Sequence, residues 1–139
     1  MNAPLYTVEI LRIAASLPEP VELARIDGSG EARSPACGSS LVTSVALTPD
    51  GRVEAMSQQV HACAFGQASA ALVAGSANGR SRDDVERALG ALSAWLDGGE
   101  ALPDWPGMTA LLPARARKPR HGAILLPLRA LIAAMDDAR

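Results

Sequence analysis

The alternating stretch over residues 41–60 limits the fold most. Leu41, Thr43, Val45 and Leu47 alternate with Val42, Ser44 and Ala46, then Pro49, Asp50 and Gly51 supply turn chemistry, and alternation resumes from Val53 to Val60. Two period-2 runs joined by a turn predict an antiparallel hairpin. An extended pattern over residues 31–35 predicts an earlier strand, which completes a three-stranded sheet able to pack one face on helices. In such a meander the first and third strands both flank the second. The start of the second strand then lies level with the end of the third.

The remaining segments read as helices and loops. Over residues 5–17, Pro4 suits an opening turn, Val8, Leu11 and Ala15 share one face, and Ile10, Ile13, Ala14 and Leu17 lie on the neighbouring one. Pro18 and Pro20 end that helix, and Asp27, Gly28, Ser29 and Gly30 read as a loop. Residues 67–77 form a helix of small side chains, capped by Asn78 and Gly79. Ser81 opens the next, with Asp83 and Asp84 in its first turn and a stripe of Val85, Ala88, Leu89, Leu92, Trp95 and Leu96. Residues 97–107 read as loop, 108–112 as a short helix and 113–119 as a basic connector. The last helix spans 122–138, and Pro127 requires that it start near Ala123 or bend. The expectation is one α+β domain over residues 1–139, a three-stranded antiparallel sheet packed on one face by four to five helices.

Composition excludes several functions. With 48% hydrophobic and 20% charged residues the chain can bury a core, and only 3% aromatics make that core aliphatic and remove stacking platforms for bases or sugars. A net charge of -2 with both signs scattered leaves no nucleic-acid footprint, and the basic run over residues 115–121 reads as a solvated loop. No run approaches the ~18 apolar residues of a membrane span, and the N-terminus lacks a signal-peptide pattern. The expectation is a cytoplasmic protein with no membrane or nucleic-acid partner.

Chemistry concentrates at two cysteines. Cys63 stands where the third strand ends, ahead of the small-residue run CAFGQASAALVAGSANG, and Cys37 sits in the turn SPACGSS. A cysteine at a helix N-terminus meets free N–H groups and a dipole that favour thiolate, which makes it a metal ligand or a nucleophile. A free cysteine also serves as a small buried hydrophobe. The meander brings Cys37 and Cys63 to the same edge of the sheet. A closed structural zinc site takes four Cys or His ligands, and Cys37, Cys63, His61 and His121 are all that the chain holds.

These pieces resemble the NifU/IscU-type iron–sulfur cluster scaffold family, which includes SufU-like sulfur acceptors, over residues 34–134. The family's first motif reads NPxCGD, and here SPACGS matches at Cys37 and Gly38, with Ser39 in the aspartate position. Its second follows a cysteine with Ala-Ser, Leu-Val and Gly-Lys-Ser; here Cys63 precedes Ala68, Ser69, Leu72, Val73, Gly79, Arg80 and Ser81. Its third is a cysteine opening the last helix, often after a histidine. A register on Leu126, Ala130 and Leu131 puts those positions at Ala123 and Gly122, with His121 one residue earlier.

The resemblance implies a scaffold or sulfur/metal acceptor rather than an enzyme. Such a protein receives sulfur from a cysteine desulfurase at Cys63 or Cys37 as persulfide, and holds a transient iron–sulfur cluster or zinc for delivery to apoproteins. His121, or less directly His61, could add a ligand, and a second chain could complete the set as a homo-oligomer. Ser39 and Ala123 are missing ligands, so the alternative is a degenerate paralogue with no cofactor that only binds a protein partner. A third reading, a hydrolase or transferase using Cys63 with His121, lacks an orienting acid and an oxyanion motif.

Overall fold

The computed structural model describes residues 6–35 and 38–138. The sheet has three antiparallel strands in the order β1-β2-β3, with β1 Gly28–Ser34, β2 Ser39–Leu47 and β3 Val53–His61. Leu41 lies opposite Ala32 and Val60, and Val45 opposite Gly28 and Met56. Leu41, Thr43 and Val45 are buried on the inner face, as the alternation requires. At the hairpin, Gly51 has φ +84°, a left-handed value that suits glycine, and its N–H donates to the Thr48 carbonyl at 2.9 Å.

Strand β1 starts at Gly28, where the sequence reads as loop. The reason is packing by helix α4, His121–Asp137. A Cβ on Gly28 would lie 2.2 Å from the Ala134 carbonyl oxygen, and one on Gly30 would lie 2.5 Å from the Ala134 nitrogen. The glycines let a helix backbone settle directly on the strand, and the Ser29 N–H donates to Asp137 Oδ2 at 3.0 Å. Glycine here marks close approach instead of a turn.

Helix α1, Val8–Ala15, is shorter than the expected 5–17 because Thr7 caps it, its Oγ1 accepting from the Ile10 N–H at 3.0 Å. Pro4 and Leu5 lie outside the described residues. Ile10 and Ala14 are buried while Val8 and Leu11 are exposed, so one face is core. Helix α2, Ala64–Ser76, starts three residues earlier than the expected 67. Phe65, Gly66, Ala68, Ser69, Ala70, Ala71 and Val73 are all buried, on several faces of the helix. A helix apolar around its girth lies inside the protein, and α1, α4 and β3 all pack against it.

Helix α3, Arg82–Leu96, opens with a capping box. The Asp84 N–H donates to Ser81 Oγ at 3.1 Å and the Ser81 N–H to Asp84 Oδ2 at 3.0 Å. Its predicted stripe is buried at Val85, Ala88, Leu92, Trp95 and Leu96. The short helix expected over 108–112 is 3-10 helix and runs on to Ala116, and the basic connector expected over 113–119 is largely 3-10 helix too, Met108–Ala116 and Lys118–Arg120. Met108, Leu111 and Ala114 are fully buried; spaced three apart, they fall on one side of a three-residue turn.

Helix α4 spans β1 and β2 and packs on α2 and α3. It carries Pro127 well past its first turn, where proline removes one helical hydrogen bond. Nearby, the buried Ser69 hydroxyl donates to the Ile124 carbonyl at 2.6 Å. The small residue at 69 thus supplies a donor on the α2–α4 contact one turn before the proline. Among the described residues no helix is long and apolar enough to cross a membrane.

Candidate functional site

Three elements end at one rim of the sheet. Ser40 pairs with His61 across β2 and β3, and Ser34 pairs with Ser39 across β1 and β2, so these strand ends are level. Cys63 follows β3 by two residues and is the N-cap of α2, with φ -67° and ψ 174°. The start of α4 comes to the same place: a Cβ on Gly122 would lie 2.4 Å from Ser34 Oγ, and one on Gly66 would lie 3.4 Å from Ala123 Cβ. Ser34, Ser39, Cys63, Gly122 and Ala123 therefore meet where β1, β2, α2 and α4 begin or end. Cys37 lies outside the described residues, and the expected meeting of the two thiols falls there with it.

Cys63 is a free thiol, partly exposed. Its side chain makes no capping bond to the N–H groups of α2. Tyr6, just ahead of the Thr7 cap, stands over this helix end. Its ring meets Phe65 edge-on at 4.9 Å between centroids and 65° between planes. The Tyr6 phenol is near enough to Cys63 and Ala64 for both to act on its titration. Burial raises the phenol above its ordinary value of 10.0, the negative charge of a Cys63 thiolate adds to the rise, and the Arg120 guanidinium opposes it. The hydroxyl is consequently a neutral hydrogen-bond donor at physiological pH. Sequence reasoning passed over Tyr6, although it is the sole tyrosine and directly precedes a helix cap.

The remaining candidate ligands lie differently. Ala123 is 0% exposed and presents only a methyl group. Ser39 is buried at 4%, and its hydroxyl is a poor ligand at neutral pH. Gly122 has no room for a side chain unless Ser34 shifts. His121 opens α4 with Nε2 at 2.9 Å from the Ala114 carbonyl and 3.2 Å from that of Arg115. Because a carbonyl only accepts, Nε2 carries the hydrogen and has no lone pair for a metal. Its Nδ1 lies 3.9 Å from Asp97 Oδ1. His61 is exposed at the end of β3.

Among the described residues no group of three or more His, Cys, Asp or Glu side chains could hold a metal ion. These donors do not fit a closed tetrahedral zinc site or a cluster cage, which need four thiolate or imidazole ligands. What the rim offers is a partly exposed sulfur at a helix N-terminus. Such a thiol can act as a nucleophile toward sulfur.

Solved structures with the same fold include the N-terminal part of a nitrogen-fixing NifU-like protein from Brucella abortus. It is 28% identical with a TM-score of 0.86, over 96% of this chain and 94% of that one. A protein from Fervidobacterium islandicum AW-1, described as the iron–sulfur cluster assembly scaffold for the SUF system, is 16% identical with a TM-score of 0.80, over 94% and 96%. A hypothetical protein solved at 2.3 Å is 19% identical with a TM-score of 0.73, over 92% and 97%. No family model and no curated protein matches the sequence.

Proposed function

Because the chain belongs by its structure to the NifU/IscU/SufU-like family, we propose that it is a sulfur acceptor in iron–sulfur cluster assembly. Cys63, with Cys37 as a second thiol, takes sulfur from a cysteine desulfurase, and the cargo passes on to apoproteins. The observation that carries this reading is the Cys63 thiol itself, partly exposed on the N-cap of α2 and not used to cap it. The Cys63 thiolate attacks the outer sulfur of the desulfurase persulfide, the S–S bond there breaks, and the desulfurase thiolate leaves. One sulfur moves and no oxidant is consumed. The protein is a stoichiometric carrier, not a catalyst, and works in a reducing cytoplasm where both thiols stay free.

Iron or zinc, as cargo, would need ligands beyond Cys37 and Cys63. Ala123 gives none and Ser39 a weak one, so the rest come from a second copy of the chain or from a partner. A second reading, a cluster-free module that binds only protein, draws on the buried Ala123 and on Gly122 closed against Ser34.

The test is sulfur loading by a cysteine desulfurase with cysteine as substrate, read by intact-mass spectrometry. One added sulfur is expected on the wild type and on Cys37→Ser, and none on Cys63→Ser. Full loading of Cys63→Ser would overturn the assignment. No sulfur on any variant, together with no iron retained after anaerobic loading, would establish the second reading.

A further inference from the structure

We propose that residues 17–26 form a strap that guards the free edge of β3 against pairing with a second copy of this chain, and that the strap opens while the domain beneath it stays folded. In the order β1-β2-β3, β3 is an edge strand. Every second residue of such a strand turns its N–H and C=O away from the sheet, a row ready to pair with another chain. At the start of β3 that row is taken: the Val53 N–H donates to the Arg80 carbonyl at 3.0 Å, and the Val53 carbonyl accepts from the Gly79 N–H at 2.8 Å. Farther along, among the described residues, no backbone hydrogen bond reaches the outer side of residues 54–61. The run over residues 56–60, MSQQV, carries no charge, glycine or proline. Nothing in it repels its own copy, so this edge needs a cover.

The strap supplies it. It leaves α1 at Leu17, which packs with Leu41, Ala70 and Leu126, and rejoins the sheet at Asp27, whose N–H donates to the Val45 carbonyl at 2.8 Å. Leu17, Pro18, Glu19 and Pro20 line a groove of about 450 Å³ together with residues 58–61 of β3. Proline has no N–H to give a strand, so this stretch covers the edge without extending the sheet. Val21 turns its N–H to Ser57 Oγ at 2.9 Å, which makes the first latch. Pro20, Val21 and Ile26 lie opposite Val42, Ser44 and Gln59 of the outer face, with a cavity of about 160 Å³ between them. Arg25 makes the second latch, donating to the Leu47 carbonyl at 2.8 Å and pairing with Glu54 at 3.1 Å. Exposed contacts of this kind hold weakly. Val21 and Ile26 are 60% and 54% exposed, and no residue from 18 to 26 belongs to the buried core, so little apolar burial opposes opening.

The experiment uses the full chain, kept reduced so that its two cysteines form no cross-link. Ser57→Ala removes the first latch, and Ser57→Ala with Arg25→Ala removes both. Native-state hydrogen exchange of the Val21 amide should quicken about fivefold in Ser57→Ala, the scale of one lost hydrogen bond, while the amides of β2 keep their rates. Sedimentation equilibrium should give the double variant a larger mass than the wild type at the same concentration. Adding Gln59→Lys, which brings cations of the two copies together across an antiparallel pair of β3 edges, should reverse that gain. A wild-type rate at Val21 in Ser57→Ala would overturn the latch. Exchange that quickens only in step with β2 would mean that strap and sheet open as one unit, against the proposal. A double variant with the wild-type mass, or association that Gln59→Lys leaves unmoved, would refute the guarding of the edge.

Discussion

At the hairpin end of the sheet, Asp27 accepts from the Leu47 N–H at 2.7 Å and pairs with Arg25 at 3.1 Å, and Arg25 continues to the Leu47 carbonyl and Glu54. Arg52 joins Asp50, the Gly79 carbonyl and Asp84 nearby. At the other end stand Cys63, Gly66, Gly122 and Ala123, where backbones touch and the reactive atom is a sulfur. The first end is furnished with charges that answer one another, each pair worth little in water. The second is furnished by removing side chains. Small residues there bring three elements within reach of one thiol, and the ion pairs that hold the hairpin stay away from it.

Glycine substitution separates the two ends most sharply. Gly28, near the hairpin end of β1, faces the backbone of α4, with the Ala134 oxygen 2.2 Å and the Ala138 nitrogen 2.8 Å from a would-be Cβ. Neither can give without moving the helix, so Gly28→Ala should cost about 3 kcal/mol, the upper range for overpacking. Gly122 meets only the Ser34 side chain, which a rotation can displace, and alanine is the better helix former by up to ~1 kcal/mol. Gly122→Ala should therefore change stability by less than about 1 kcal/mol. Urea unfolding of both variants tests the contrast; equal losses would mean that the cysteine rim is as rigid as the β1–α4 contact.

The same contrast explains what could be read in the sequence. The hairpin, the capping box at Ser81 and the stripe on α3 follow from local chemistry, and all three were legible. Gly28 and Gly30 were not, because glycine signals a turn and a close approach with the same letter, and only the tertiary partner Ala134 tells them apart. The 3-10 segment was legible only in its first half, residues 108–112: its continuation through Ala116 was read as connector, because Met108, Leu111 and Ala114 recur every third residue and not at 3.6. At the site, the change from extended to helical pattern placed Cys63 at a helix start, and the motif register placed Ala123 at the opening of the last helix. The packing of Tyr6 on Phe65 beside the cysteine was illegible, since Tyr6 is far away in sequence and reaches the start of α2 only through the packing of α1 on α2.

Acid should act on the hairpin end. The Leu47 N–H, and then Arg25, hold the Asp27 carboxyl below its ordinary 3.8. A depressed carboxylate contributes stability above its unfolded value and loses it as pH falls through its folded one. Asp27→Asn should thus be less stable than the wild type at pH 7, and the gap should close as pH drops below 3.8. Denaturation midpoints across that range give the curve. A gap independent of pH would assign the effect of Asp27 to shape instead of charge.

Alkali should act, more weakly, on the cysteine end. Tyr6 is the sole tyrosine, so phenolate absorbance reports it alone. Burial first, and then the charge and hydrogen bond of Cys63, hold it above 10.0, while Arg120 pulls it down. Cys63→Ala removes both Cys63 contributions, so the midpoint should fall; Arg120→Ala should raise it. A raised phenol favours the folded state fully below its unfolded value, and that advantage is lost as pH climbs through the folded one. The wild type should accordingly lose stability in alkali over a window that Cys63→Ala narrows. An unmoved absorbance midpoint in Cys63→Ala would show that the phenol does not feel the sulfur, and the two ends of the sheet would then differ in packing alone.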